Sequence, residues 1–162
     1  MDRRTVIFGG VALLAGCGAA SGPLRLAPGT TLYVTRHGDR DGEDLSDRGR
    51  ARAQALTGAL AALPLDAIYS PGIQRNLDTA APIAAARSLP VQHRPQENPT
   101  ARLVRDSAGG HVLWVGNKGN ITAIWEALAL PTPPPLDYGD LAIVRSDAEG
   151  RVTVERRRYG PE

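Results

Sequence analysis

Short apolar runs rich in β-branched and aromatic residues alternate along this chain with stretches whose apolar positions recur every three or four residues. Leu32 to Thr35 is the first such run and reads as a buried strand. Ser46 then stands at an N-cap position, and Ala51, Ala55, Ala59, Leu60 and Leu63 recur at helical spacing until Pro64 ends them. Asp66 to Ser70 predicts a second strand. Ser70 followed by Pro71 predicts a cap with proline in the first turn of a second helix, whose buried face is Ile73, Leu77, Ala80, Ala81 and Ala84. Pro90 to Arg94 predicts a third strand, and residues 95–110, polar with two prolines and a double glycine, predict a loop. His111 to Gly116 predicts a fourth strand. Ile121, Ile124, Trp125 and Leu128 then share one face of a third helix that Pro131 stops. The PTPPPL segment predicts a stiff connector. Leu141 to Arg145 and Val152 to Arg158 predict two more strands, joined by a turn through Asp147 to Gly150.

Strands alternating with helices predict an α/β fold, a three-layer α/β/α sandwich with a mostly parallel central sheet. At 162 residues and 42% hydrophobic composition the chain can bury one core but is short for two domains. The folded domain is expected over residues 31–160. Open sheets of this kind hold ligands beyond the carboxyl ends of their strands. That edge would gather Arg36 and His37 after the first strand, Arg75 after the second, and Asn117 with Lys118 after the fourth.

The N-terminal residues change the picture of where such a domain works. Arg3 and Arg4 precede an apolar stretch, Val6 to Ala15, about half of the roughly 20 residues that cross a bilayer. It ends in Leu14, Ala15, Gly16 and Cys17, and this LAGC resembles the bacterial lipobox. That resemblance implies a signal peptide over residues 1–17, lipidation at Cys17, and a protein anchored to a membrane and facing the periplasm or the cell exterior. Cys17 is the only cysteine, so no disulfide can form within the chain. Residues 18–30, rich in Gly, Ala, Ser and Pro, predict a flexible tether.

The formal charge is +2, and setting aside the leader leaves about +1. Such a domain exerts no general attraction on nucleic acid. The one basic run, Arg156 to Arg158, reads as solvated charge guarding an edge strand. Three scattered histidines and one cysteine form no metal-ligand cluster. Two arginines beside a helix N-terminus, by contrast, suit a phosphate: guanidinium forks match its oxygens, and the N–H groups of the Ser70 to Gly72 turn would point at the same place. An imidazole among them can serve as a nucleophile that takes the phosphoryl group.

Five segments carry a resemblance to a known family. RHG at 36–38, LSDRGRARAQAL at 45–56, SPGIQRNLDTA at 70–80, VGNKGNITAIW at 115–125 and RVTVERRRYG at 151–160 look like successive motifs of the histidine phosphatase superfamily, branch 1, which includes phosphoglycerate mutase. The resemblance implies a phosphoglycerate mutase-like fold, His37 as phosphoryl acceptor, Arg36 and Arg75 as the oxygen clamp, and no metal or organic cofactor. RHGDR is also similar to the acid phosphatase branch, which makes Arg40 a further candidate phosphate ligand. Asp41, however, replaces that branch's proline, and its later His-Asp motif is missing.

The departure from the family lies in the fourth strand, which usually ends in Val-Gly-His. Here Asn117 stands at the histidine position, or Lys118 if the register shifts by one. His111 lies six residues earlier, roughly 20 Å away along the strand, and His93 falls at the end of the third strand. Losing one preorganised donor of this kind costs about 100- to 1,000-fold in rate. For the proton donor the family position points to Glu97, with Asp39 and Glu43 as alternatives. The short segment after Glu97 leaves no room for the long lid of the mutases, so an open pocket for a phosphate ester on a protein or envelope glycan is expected. The sequence thus predicts a slow phosphomonoester hydrolase working through a phosphohistidine, with a noncatalytic phosphate-binding lipoprotein as the alternative.

Overall fold

The computed structural model describes residues 23–162. The leader, Cys17 and the first part of the tether lie outside the described residues. Twelve elements follow in chain order: β1 (Thr31–Arg36), β2 (Arg40–Asp41), β3 (Asp44–Leu45), α1 (Asp47–Ala59), β4 (Ala67–Ser70), α2 (Gln74–Arg87), β5 (Val91–His93), α3 (Thr100–Asp106), β6 (His111–Gly116), α4 (Lys118–Ala127), β7 (Asp140–Ser146) and β8 (Val152–Arg158).

Six strands form one sheet in the order β5-β4-β6-β1-β7-β8. The first four are parallel, while β7 runs antiparallel to β1 and β8 antiparallel to β7. Alternate side chains of β1 go to opposite faces, as the pleat requires. Leu32 and Val34 join Trp114, Leu103, Ile121, Ile124 and Trp125 in the core under α3 and α4. Tyr33 joins Leu56, Leu60, Ile68, Ala80 and Ile83 in the core under α1 and α2. The result is the three-layer α/β/α sandwich with a mostly parallel sheet that the pattern of runs predicts.

Several local expectations are corrected. The loop expected over 95–110 contains α3, held down by buried Leu103 and by Asp106, which pairs with Arg94 at 3.0 Å and Arg102 at 3.5 Å. Helix α2 does not start at Ser70. Its N-cap is Ile73, and the buried Ser70 hydroxyl is spent on the Val115 carbonyl at 3.0 Å, joining β4 to β6. The turn expected to present free N–H groups is partly closed on itself, since the Ile73 N–H donates to the Pro71 carbonyl. Helices α1 and α4 end at Ala59 and Ala127, short of Pro64 and Pro131.

The tether boundary also moves. Leu26 is buried in the core, Gly29 N–H donates to the Ser146 carbonyl, and Ser146 N–H donates to the Thr30 carbonyl. The chain is therefore tied to the domain from Leu26 rather than from residue 31. Among the described residues, no helix is long and apolar enough to cross a membrane.

Candidate active site

The carboxyl ends of β1, β4 and β6 meet, and register decides what they bring. Arg36 is paired with Gly116 across β1 and β6, and the His37 N–H donates to the Gly116 carbonyl at 2.9 Å. Gly38 continues into a turn that α1 and α2 clamp from two sides. Its N–H donates to Thr79 Oγ1 at 2.9 Å, and that hydroxyl donates to the Arg75 carbonyl at 2.7 Å. On the other side Gly38 lies against Gly49, where a Cβ on Gly38 would come within 2.7 Å of the Gly49 carbonyl. Side chains at either glycine would push the turn and α1 apart.

His37 is buried, and its Nδ1 lies 2.8 Å from the Gly38 carbonyl. A carbonyl only accepts, so Nδ1 carries the proton and Nε2 the lone pair. Arg75 Nε approaches that lone pair at 3.3 Å. Burial, with the charges of Arg36, Arg75 and Arg40 adding to it and the Gly38 hydrogen bond opposing it, pushes the His37 pKa from 6.5 down to about 4. The ring is thus neutral at pH 7 with Nε2 available, the protonation state a nucleophile needs.

That shift has a stability consequence. Between its unfolded value near 6.5 and about 4, the unfolded chain holds a proton that the folded chain does not, so stability is complete above this window and falls as pH drops through it. Measured as denaturant midpoints at about pH 7 and pH 4.5, wild type should lose of the order of 2 kcal/mol more than His37→Asn. An equal pH response in the two proteins would contradict a buried neutral imidazole.

The arginines are partly engaged by the protein itself. Arg36 Nη1 donates to the Leu136 carbonyl at 3.1 Å and Nη2 to the Tyr138 hydroxyl at 3.0 Å, while the guanidinium lies 3.9 Å above the Tyr138 ring. Its Nε is buried without a partner. Tyr138 also lies beside His37, with ring centroids 5.9 Å apart. Arg75, in the first turn of α2, donates from Nη1 to Glu43 at 2.7 Å. Arg40 is exposed, bonds the Gly42 carbonyl, and stands 3.6 Å from Glu43.

Asn117 sits beside the nucleophile but is used as a cap. Its Oδ1 accepts the Asn120 N–H at 3.2 Å, and Asn120 Oδ1 accepts the Asn117 N–H at 3.0 Å, which closes a capping box at the start of α4. Lys118 is exposed in the first turn of α4. Glu97 is exposed and accepts from Gln96, with no polar contact to Arg36, His37 or Arg75. His93 is exposed, and His111 pairs with Asp66 at 3.1 Å at the opposite end of the sheet. Asp39 is held by Arg52 at 2.6 Å and Arg48 at 3.4 Å. The structure therefore unites Arg36, His37 and Arg75 with Asn117 beside them, and leaves Glu97 without a contact to the group. A cavity of about 570 Å³ between α1 and α2, lined by residues such as Leu45, Ala53 and Pro82, includes none of the three.

The fold is that of phosphoglycerate mutase-like phosphatases. The mycobacterial glucosyl-3-phosphoglycerate phosphatase bound to inorganic phosphate superposes with a TM-score of 0.57 at 19% identity, covering 82% of this chain and 98% of that one. The protein histidine phosphatase SixA complexed with tungstate gives 0.61 at 15% identity over 79% and 96%. Bacillus stearothermophilus YhfR gives 0.59 at 21% over 77% and 95%. In sequence, residues 29–96 match the profile of the histidine phosphatase superfamily (branch 1), a span that holds Arg36, His37 and Arg75 and ends before Asn117. This match supports a place in that superfamily. Among curated proteins none matches the chain.

Proposed function

We propose that this protein is a phosphomonoester hydrolase of the histidine phosphatase type, in which His37 Nε2 takes the phosphoryl group and the Arg36 and Arg75 guanidiniums bind its oxygens. The observation that carries this reading is the state of His37: buried, Nδ1 bonded to the Gly38 carbonyl, and Nε2 facing Arg75. The Arg75 guanidinium at that nitrogen, with Arg36 bracketing the same Tyr138 ring that lies beside His37, suits a tetrahedral dianion, and the neutral ring suits attack on phosphorus. Turnover is reduced because Asn117 replaces a charged donor. Arg40 and Lys118, both exposed, lie far enough into solvent to serve as steering charges for an anionic substrate. Asp39, an alternative for the proton donor, is instead spent on Arg52 and Arg48. With few residues available as a lid, the preferred substrate is a phosphate ester on a large group, such as a protein or an envelope glycan. The enzyme works outside the cytoplasm, tethered to a membrane by lipid on Cys17.

The test is covalent trapping. Purified full-length protein incubated with a radiolabelled aryl phosphate should acquire an acid-labile, base-stable label, and His37→Ala and His37→Asn should acquire none. Label on either folded variant would reject His37 as acceptor.

One observation favours a second reading, in which the anion site binds a phosphorylated ligand without turnover: position 117, beside the nucleophile, carries an amide that can donate but never the positive charge of an imidazolium. Thermal stabilisation by phosphate or vanadate, with no label and no hydrolysis, would select that reading.

A further inference from the structure

The β2–β3 hairpin places a carboxylate on the candidate phosphate clamp. Glu43 Oε2 is 2.7 Å from Arg75 Nη1, and its other oxygen is 3.6 Å from Arg40. The Nε of the same Arg75 guanidinium lies 3.3 Å from His37 Nε2. Glu43 and the nucleophilic nitrogen thus flank one planar group and are no more than about 8 Å apart. A phosphoryl group with one hydrogen bond to its leaving oxygen bridges such a gap.

Three other carboxylates of this region are otherwise occupied or out of contact. Asp39, 16% exposed, is consumed by Arg52 and Arg48. Asp78 accepts from Gln74 on the outside of α2. Glu97 accepts from Gln96 and reaches none of the cations. Among the described residues Glu43 is the one carboxylate ion-paired with Arg36, His37 or Arg75, and at 83% exposed it can leave Arg75 at little cost and return.

We propose that Glu43 is the proton donor to the leaving oxygen and the base for the attacking water, an assignment that rests on the phosphatase reading above. A phosphate ester arriving as its monoanion replaces Glu43 on Arg75 and gives its proton to the released carboxylate, which leaves a bound dianion beside a neutral acid. His37 Nε2 then bonds to phosphorus, the bond from phosphorus to the leaving oxygen breaks, and the Glu43 proton passes to that oxygen. The products are an alcohol, phosphohistidine and the Glu43 carboxylate. In the second step this carboxylate takes a proton from water as the water oxygen attacks phosphorus and the nitrogen–phosphorus bond breaks. Phosphate departs with the proton, His37 is again neutral, and Glu43 returns to Arg75.

The test separates leaving groups. An aryl phosphate such as 4-nitrophenyl phosphate expels a stable anion and needs little protonation, whereas an alkyl phosphate needs a full proton. Single-turnover phosphorylation of full-length Glu43→Gln should be slowed by about 100- to 10,000-fold with the alkyl ester and hardly at all with the aryl ester. Its phosphoenzyme should also persist longer than wild type's, and Glu43→Asp should recover part of the alkyl rate. The position is on the surface, and an unchanged melting temperature verifies folding. Equal slowing of both esters, no slowing, or faster phosphorylation with tighter phosphate binding would each overturn the assignment, the last by making Glu43 a mere competitor for Arg75. Where wild type labels but the esters are not distinguished, only Glu43 fails. Where wild type labels with neither ester, the phosphatase reading fails with it.

Discussion

Asn117→His should raise the rate of phosphoenzyme formation by about 100- to 1,000-fold while lowering stability by about 1 kcal/mol. The gain follows from position. Gly116 is bonded through its carbonyl to the His37 N–H, so the next residue borders the nucleophile. Asn117 offers the site only its amide N–H groups, because Oδ1 is engaged with the Asn120 N–H. An imidazole there supplies a donor that can also carry positive charge, aimed at oxygens whose charge builds in the transition state. The loss comes from the same atom: without Oδ1 the first turn of α4 has an unpartnered N–H. The other half of the box survives, because Asn120 Oδ1 accepts from the backbone N–H at 117 and from Trp114 Nε1. Rapid-quench labelling and denaturant melts of both proteins check the two halves of this expectation. A folded variant with no gain in labelling rate would mean that position 117 does not border the transferring phosphoryl group.

The sandwich was legible because every sheet strand lies at or near an apolar run, and α4 because Ile121, Ile124 and Trp125 are large enough to mark a face. Faces built from alanine were read correctly at Ala80, which is buried, and at Ala55, Ala59 and Ala84, which pack against the core, but one position in each helix was misassigned. In α1 the expected stripe included Ala51, which is exposed, while the buried positions are Gly49, Arg52, Ala53 and Leu56. In α2 the buried positions include Asn76 and Thr79, where apolar Ala81 was expected and is exposed. Both errors have one cause: polar side chains go inside where the backbone of a neighbouring turn offers partners, and periodicity cannot see those partners. Thr79 bonds the Gly38 N–H, and Asn76 bonds the Val115 carbonyl at 3.3 Å.

The site divides the same way. Arg36, His37 and Arg75 could be read because each follows a strand that ends at one edge of the sheet. Tyr138 could not, because it reaches Arg36 from the far end of the proline-rich connector. Its signal was a tyrosine one residue before a glycine with positive φ, which marks a turn but names no neighbour. Glu43 could be read only as one of three candidate carboxylates, because the hairpin that carries it has strands of two residues each, too short to leave a pattern.

Arg52 ties the turn that carries the candidate nucleophile to the C-terminal segment, and Arg52→Leu should cost about 3 to 5 kcal/mol of folding stability. Its side chain is 2% exposed and meets three partners on two segments: Asp39 from Nε at 2.6 Å, the Tyr159 carbonyl from Nη1 at 2.8 Å and the Pro161 carbonyl from Nη2 at 2.8 Å. Burial alone would raise the Asp39 pKa, yet the Arg52 hydrogen bond and charge outweigh it and hold the carboxyl below its usual range. Leucine restores the packing of the stem but leaves Asp39 with only the more distant Arg48, and two carbonyls without their donor. Lysine keeps the charge but cannot span three acceptors with a planar fork, so Arg52→Lys should recover less than half of the loss. The effect reaches the site because the Asp39 carbonyl accepts from Ser46 and adjoins Gly38, whose own carbonyl orients His37. Phosphoenzyme formation should therefore slow even at temperatures where the variant is folded. Urea midpoints with unchanged slope measure the stability term. A loss under about 1 kcal/mol would show that the three partners find water as readily as they found the guanidinium.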